Sequence, residues 1–159
     1  MATLRAHGIE ATLPAGFEGR IFIRPTAGGE VSRPVAHFAT FALPLDVGDF
    51  GGGAVGLMRP TDIFAALFEY GPESVGTKLF EQTGMPTALT VDHFRPTVLR
   101  RGIPGHSGTQ WFFTQSGRPF TFYAVLGDHN RRGLLIPHVN ELLRTIAVSP
   151  GSPVVGPWN

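Results

Sequence analysis

Gln110-Trp111-Phe112-Phe113-Thr114-Gln115, then Ser116-Gly117-Arg118-Pro119, then Phe120-Thr121-Phe122-Tyr123-Ala124-Val125-Leu126-Gly127 is the stretch whose reading decides the fold. Two runs rich in aromatic and β-branched residues, split by a Gly-containing tetrapeptide, predict a β-hairpin. The period then changes. Between Leu134 and Ile146, apolar Leu135, Val139, Leu142 and Ile146 recur at the spacing of one helix face. Pro137 lies inside that pattern. A proline is tolerated in a first turn, where its missing N–H has no intrahelical partner. The helix is therefore expected to start close to Gly133 or later, with Asp128 or Asn130 near its cap. The chain closes as strand, turn, strand, helix.

Upstream, Gly8 to Leu13 alternates apolar and polar residues, the pattern of a half-buried strand, and Pro14-Ala15-Gly16 is turn chemistry. Phe17 to Arg24 reads as a second strand. Val35 to Leu43 is apolar on both faces and reads as a central third. Asp62 to Tyr70 fits two patterns. Thr61 or Asp62 could cap a helix with Ile63, Phe64, Leu67 and Phe68 on one face, and the same residues fit a strand buried on both sides. The segment between Pro60 and Gly71 is short for a helix, which favours the strand. Residues 71–86 read as irregular with a short helical turn near Leu79-Phe80, residues 87–101 as containing one strand, and residues 102–108 as a loop. The expected fold class is α+β: a mainly antiparallel β-sheet with a C-terminal helix packed on it. Residues 1–148 form a single domain in this reading, and residues 149–159 a tail rich in Pro and Gly.

Composition narrows the function classes. A chain of 159 residues with thirteen Phe can build a proper core and still leave apolar surface for a partner or for self-association. There is no Cys, so disulfides and thiolate metal sites are ruled out. A net charge of +1 gives no global field for nucleic acid or an acidic membrane. No run of apolar residues is long enough to span a bilayer, and Met1 to Gly8 lacks the apolar stretch of a signal peptide. The expectation is a cytoplasmic protein that works with a protein partner or as a homo-oligomer.

The order of elements carries a resemblance. Leu13-Pro14-Ala15-Gly16-Phe17 follows a first strand, and the late hairpin leads into a C-terminal helix and a short last strand, Ala147-Val148. This resembles the Mog1/PsbP-like α/β/α sandwich, with Phe17 standing where those families commonly carry Trp. The resemblance covers the two ends of the chain. It implies an architecture and a partner-binding or accessory role, and brings no catalytic motif with it.

Several residue sets are candidates for chemistry. Gly51-Gly52-Gly53 offers the glycines of a phosphate loop but lacks a following Gly-Lys-Ser/Thr and a convincing helix, so it reads as an inter-strand loop. His93, His106 and His129 fall in loops or strand ends that could converge with Gly51 to Gly53 around a ligand, but no His pair has the helical spacing of zinc hydrolases; neither a metal nor a cofactor is expected. Ser107 beside His106, with Asp92 or Asp128, could be drawn as a nucleophilic triad, yet Gly105-His106-Ser107-Gly108 is one residue short of a nucleophile elbow. His37 reads as a hydrogen-bonded strand residue and His138 as a surface one. Arg118 at the hairpin tip and Arg131 and Arg132 at a helix start are candidate contacts for an anionic partner surface, because the positive end of a helix dipole disfavours cations. Finally, Val154, Val155 and Trp158 are unusually apolar for a tail, and are read as an interface anchor. The leading function is a non-catalytic interaction or assembly module. The alternative is a small-molecule-binding domain or hydrolase-type enzyme with a cleft near Gly51–Gly53 and His106.

Overall fold

The computed structural model of the chain describes residues 2–23 and 33–150. In chain order the elements are β1 (Thr3–Ala6), β2 (Ile9–Thr12), β3 (Glu18–Ile23), β4 (Pro34–Ala39), β5 (Ile63–Glu69), β6 (Ser107–Gln115), β7 (Arg118–Leu126), α1 (Arg132–Thr145) and β8 (Ala147–Val148). Two tight turns set the hairpins. His7 and Gly8 have φ of 53° and 75°, and Ser116 and Gly117 have φ of 54° and 74°. Left-handed conformation at both central residues matches the twist of the flanking strands, so each turn closes in two residues. The second turn is therefore shorter than the expected tetrapeptide, and Arg118 and Pro119 belong to β7.

The strands form two antiparallel sheets, one in the order β1-β2-β8 and one in the order β3-β4-β5-β7-β6. The α+β class holds, with the sheet divided in two. Asp62 to Tyr70 is settled as strand: β5 pairs with β4 on one side and β7 on the other, Ile63 opposite Leu126 and Glu69 opposite Phe120. Its apolar run is continuous because both faces of the larger sheet are covered. On one face Ile63, Ala65 and Leu67 join Phe120, Phe122 and Leu126 beneath α1 and β2. On the other, Phe64, Ala66, Tyr123 and Val125 pack beneath Val47, Ala54, Val55 and Met58 of the connection to β5.

The helix buries Leu135, Ile136, Val139, Leu142 and Leu143. Three expectations need correction. The helix begins at Arg132, so Pro137 lies in its second turn rather than its first. The missing bond to the Gly133 carbonyl is tolerated because the buried apolar face supplies the stability. Residues 87–101 form no strand. They carry two 3-10 turns, Val91–His93 and Pro96–Val98, and their ladder pairing with the sheet edge is an isolated Arg95–Gly108 bridge. Third, β4 stops at Ala39, since Thr40 turns its hydroxyl to accept from the Ile63 N–H at 2.9 Å.

Candidate functional site

The end of the larger sheet where β5 finishes and β7 starts carries a buried ion pair. Even-numbered residues of β7 face the helix, so Arg118 points inward beside Glu69, and both are over nine-tenths buried. The guanidinium donates through Nε and Nη2 to the Glu69 carboxylate at 3.0 and 2.8 Å. It also donates from Nη1 to the Ser149 carbonyl at 3.1 Å and from Nη2 to the His7 carbonyl at 2.9 Å. One side chain thus ties the larger sheet to the turn and last strand of the smaller one. A pocket of about 440 Å³ opens there, lined by His7, Gly8, Arg33, Glu69, Arg118 and Ser149 among others. Arg118 is therefore not an exposed cation at a hairpin tip.

The other two arginines are also engaged. Arg132 donates to the carbonyls of His129, Val91 and Phe94 at 2.9, 2.9 and 3.3 Å, clamping the helix start onto the 91–94 turn. Arg131, exposed, pairs with Asp128 at 3.3 Å.

The histidines disperse. His129 Nδ1 meets the Ser107 hydroxyl at 2.9 Å, and Ser107 is completely buried. The Asp128 carboxylate accepts from the Asn130 N–H, capping the 3-10 turn before the helix. Ser107 and His129 therefore touch, but a serine with no exposed surface cannot meet a substrate carbonyl in this state. His106 is buried as well, its Nδ1 without a hydrogen-bond partner, and burial lowers its pKa below the usual imidazole value. His93 closes a capping box with Thr90 and lies edge-on to Trp111 at 5.0 Å. His37 is buried and its Nε2 meets the Asp49 carbonyl at 3.0 Å, while His138 is exposed near Glu141. Among the described residues no three His, Asp or Glu side chains gather as a metal set.

The glycine run folds on itself. Gly51, Ala54 and Val55 donate their N–H groups to the carbonyls of Gly48 or Gly51. Gly51 has φ of 89°, and a Cβ there would stand 2.7 Å from the Phe64 ring. These amides serve a turn that seals the core and do not cradle an anion. Beside it lies a cleft of about 420 Å³, lined by Gly53, Val55, Gly56, Leu57 and residues 101–104. His106 does not line it.

A feature that the sequence reading did not single out lies on the face away from the helix. Phe68 of β5 sits opposite Thr121 of β7, and Thr121 opposite Phe112 of β6. Tyr70 contacts Phe68, Phe112 and Phe80 at ring-centroid distances of 5.0, 6.2 and 5.1 Å. Phe50 stacks on Phe68 at 5.8 Å. Arg100, exposed, holds its guanidinium 4.1 Å from the Phe50 centroid. Burial raises the Tyr70 pKa against the opposing pull of Arg100, so the phenol stays protonated at neutral pH. Phe50, Phe68, Tyr70 and Phe112 are each only half-buried. Same-face spacing at 68 and 70 and again at 110 and 112 was the available signal; the register that aligns them was not.

No family model matches this sequence, and no curated protein or solved structure is significantly similar to it.

Proposed function

We propose that the chain is a non-catalytic protein-interaction or assembly module of a cytoplasmic complex. The observation that carries this reading is the half-buried row of Phe50, Phe68, Tyr70 and Phe112 with Arg100 across it. Aromatic rings and arginine are the side chains that dominate interface energetics, and a contiguous row of them left half open is costly in water. Leu57 and Leu79 add exposed apolar surface, at 63% and 57%. The partner is a protein or a second copy of this chain. Of the arginines expected to meet it, Arg131 is exposed and paired with Asp128 at the surface, whereas Arg118 and Arg132 are committed to internal carbonyls and Glu69. Val154, Val155 and Trp158 lie outside the described residues and stay in the reading as interface residues. The Mog1/PsbP-like resemblance points to the same kind of role.

The second reading, a small-molecule-binding domain or hydrolase-type enzyme, draws its support from the cleft beside Gly53. The buried position of Ser107 weighs against acyl transfer, so ligand binding is the form of it that stands.

The test compares the intact chain with Phe112→Ala and Arg100→Glu by native mass spectrometry and quantitative affinity purification. A partner or assembly recovered with the parent and lost with both folded variants supports the module. A monomeric parent whose captured proteins are unchanged in the variants overturns it.

A further inference from the structure

We infer that the outer edge of β6 is a slot that takes one extended, uncharged segment of a partner protein as an added strand. The inference deepens the reading above and rests on it for the existence of a partner. It starts from hydrogen-bond parity.

In an antiparallel ladder, alternate residues turn their N–H and C=O groups to opposite sides of the strand. β6 pairs with β7 in unbroken register from Ser107 to Gln115. Gly108 turns outward, because its N–H donates to the Arg95 carbonyl at 3.0 Å and its carbonyl accepts from the Arg95 N–H at 2.9 Å. Thr114 also turns outward. Its N–H donates to the Gln82 carbonyl, and its carbonyl accepts from the Gly84 N–H, both at 2.8 Å. Gln110 and Phe112 share that parity, and among the described residues their backbone groups have no partner. Both residues, and Trp111 between them, are only half-buried. Two N–H and two C=O groups thus stand unpaired in a row, which is the template for one more strand.

The slot has two walls, because successive side chains of a strand leave opposite faces. Trp111 takes the helix side. Its indole N–H donates to the Thr109 hydroxyl at 2.9 Å, and its ring meets His93 edge-on at 5.0 Å. Phe112 takes the open side, with its ring 5.7 Å from that of Phe80, and joins the slot to the aromatic row. A strand laid between the walls sends one side chain toward Trp111 and the flanking two toward Gln110 and Phe112. Aromatic and β-branched residues pack best in such cross-strand positions. The chain beside the slot carries Asp92 and Arg95 at one end and Lys78 and Glu81 at the other, one charge of each sign apiece. Neither end therefore selects a charged occupant.

The two bridges also fix its width. Gly108 and Thr114 lie six positions apart, about 20 Å along an antiparallel strand. Chain already stands in the next-strand position at both ends, which leaves room for about three or four extended residues. A second copy of β6 does not fit. It would carry its own Arg95 and residues 82–84 on the side facing the slot, in the space the first β6 fills. The occupant is a narrow segment whose ends leave the sheet plane.

The experiment uses the full chain. When it is free, the amides of Gln110 and Phe112 should exchange at least about tenfold faster than those of Trp111 and Phe113, which face β7. Random heptapeptides are then selected from a display library on the intact chain, and a selected peptide is added at saturation. It should slow exchange at Gln110 and Phe112 by about tenfold. Its affinity should fall about fivefold or more when it is N-methylated at the residues facing β6, and likewise when the chain carries Gln110→Pro. Proline is tolerated at an edge position whose N–H faces solvent, and circular dichroism verifies the fold. N-methylation asks the same question of the unaltered chain. Outward amides already protected in the free chain, no selectable peptide, or selected peptides indifferent to both changes would overturn the inference. So would a partner that is lost with Phe112→Ala and Arg100→Glu but retained by Gln110→Pro, a result that leaves the interaction reading standing. Failure of that reading looks different: peptides occupy the edge, yet no partner or assembly depends on the row.

Discussion

Replacing Arg118 by Met removes a guanidinium and keeps a chain of similar length. The structure sets the cost. Glu69 would be left as a carboxylate in a side chain only 10% exposed, without its two charge-assisted hydrogen bonds of 3.0 and 2.8 Å. Uncoupling a buried ion pair in this way costs about 3–5 kcal/mol. The carbonyls of His7 and Ser149 also lose a donor, but both residues are exposed, so water can replace it and adds little. For a domain of this size the melting temperature should fall by roughly 6–20 °C, at 2–4 °C per kcal/mol. Glu69→Gln keeps an acceptor for the guanidinium and should cost less. The double variant Arg118→Met/Glu69→Leu removes the stranded charge, so it should recover much of the loss, because apolar replacement of a buried pair is often neutral. Hydrogen exchange adds a local readout. The amide of Ser149 bonds to Gly8, and loosening of that junction should speed its exchange ahead of amides in β5. A melting temperature for Arg118→Met within error of the parent, or strictly additive single and double effects, would refute the clamp.

Leu142 is completely buried beneath the larger sheet, so Leu142→Ala should cost about 2–5 kcal/mol in chemical denaturation; an unchanged midpoint would mean that α1 does not pack there. The Asp62 carboxyl is pushed up by burial, yet hydrogen bonds from the Arg59 side chain and amide and from Thr40 outweigh this and hold its pKa below the usual value. Its contribution is complete above the unfolded value of about 3.9 and disappears as pH falls through the lower folded value, so Asp62→Asn should flatten the acid limb of melting temperature against pH. His106 has the opposite consequence in another window. Its imidazole is held below the usual range, so the unfolded chain takes up the proton first as pH falls through about 6.5, and stability should decline from there downward. His106→Gln should remove that slope; an identical slope in the variant would assign it elsewhere.

The strand-turn-strand-helix close was legible because each element announces a different period, and β5 was legible only by length. A continuous apolar run does not distinguish a two-sided strand from a buried helix. What decides it is the cover from Val47 to Met58, which lies beyond any local window. Residues 87–101 misled for a related reason. Leu89 and Phe94 are buried like strand residues, but they plug the core from either side of the Val91–His93 3-10 turn, between Pro86 and Pro96. β1 was hidden by its brevity, and the His7-Gly8 turn that creates it needs a non-Gly residue at φ of 53°, which composition does not advertise. In the helix, Pro137 suggested a later start than the real one because local propensity was weighed above the buried face.

The candidate site turned on parity. Reading Ser116 to Pro119 as a tetrapeptide turn placed Arg118 in solvent, whereas a two-residue turn places it in β7, where even positions face the helix. One residue of register separates a solvated cation from a buried one. The same parity explains the aromatic row. Glu69 points to the helix side and meets Arg118; Tyr70, one residue later, points the other way and gathers Phe68, Phe80 and Phe112. Phe50 and Phe80 reach the row from loops, so no window of sequence contains it. The sheet end therefore sorts its side chains by chemistry, the charged pair to the sealed face and the rings to the open one.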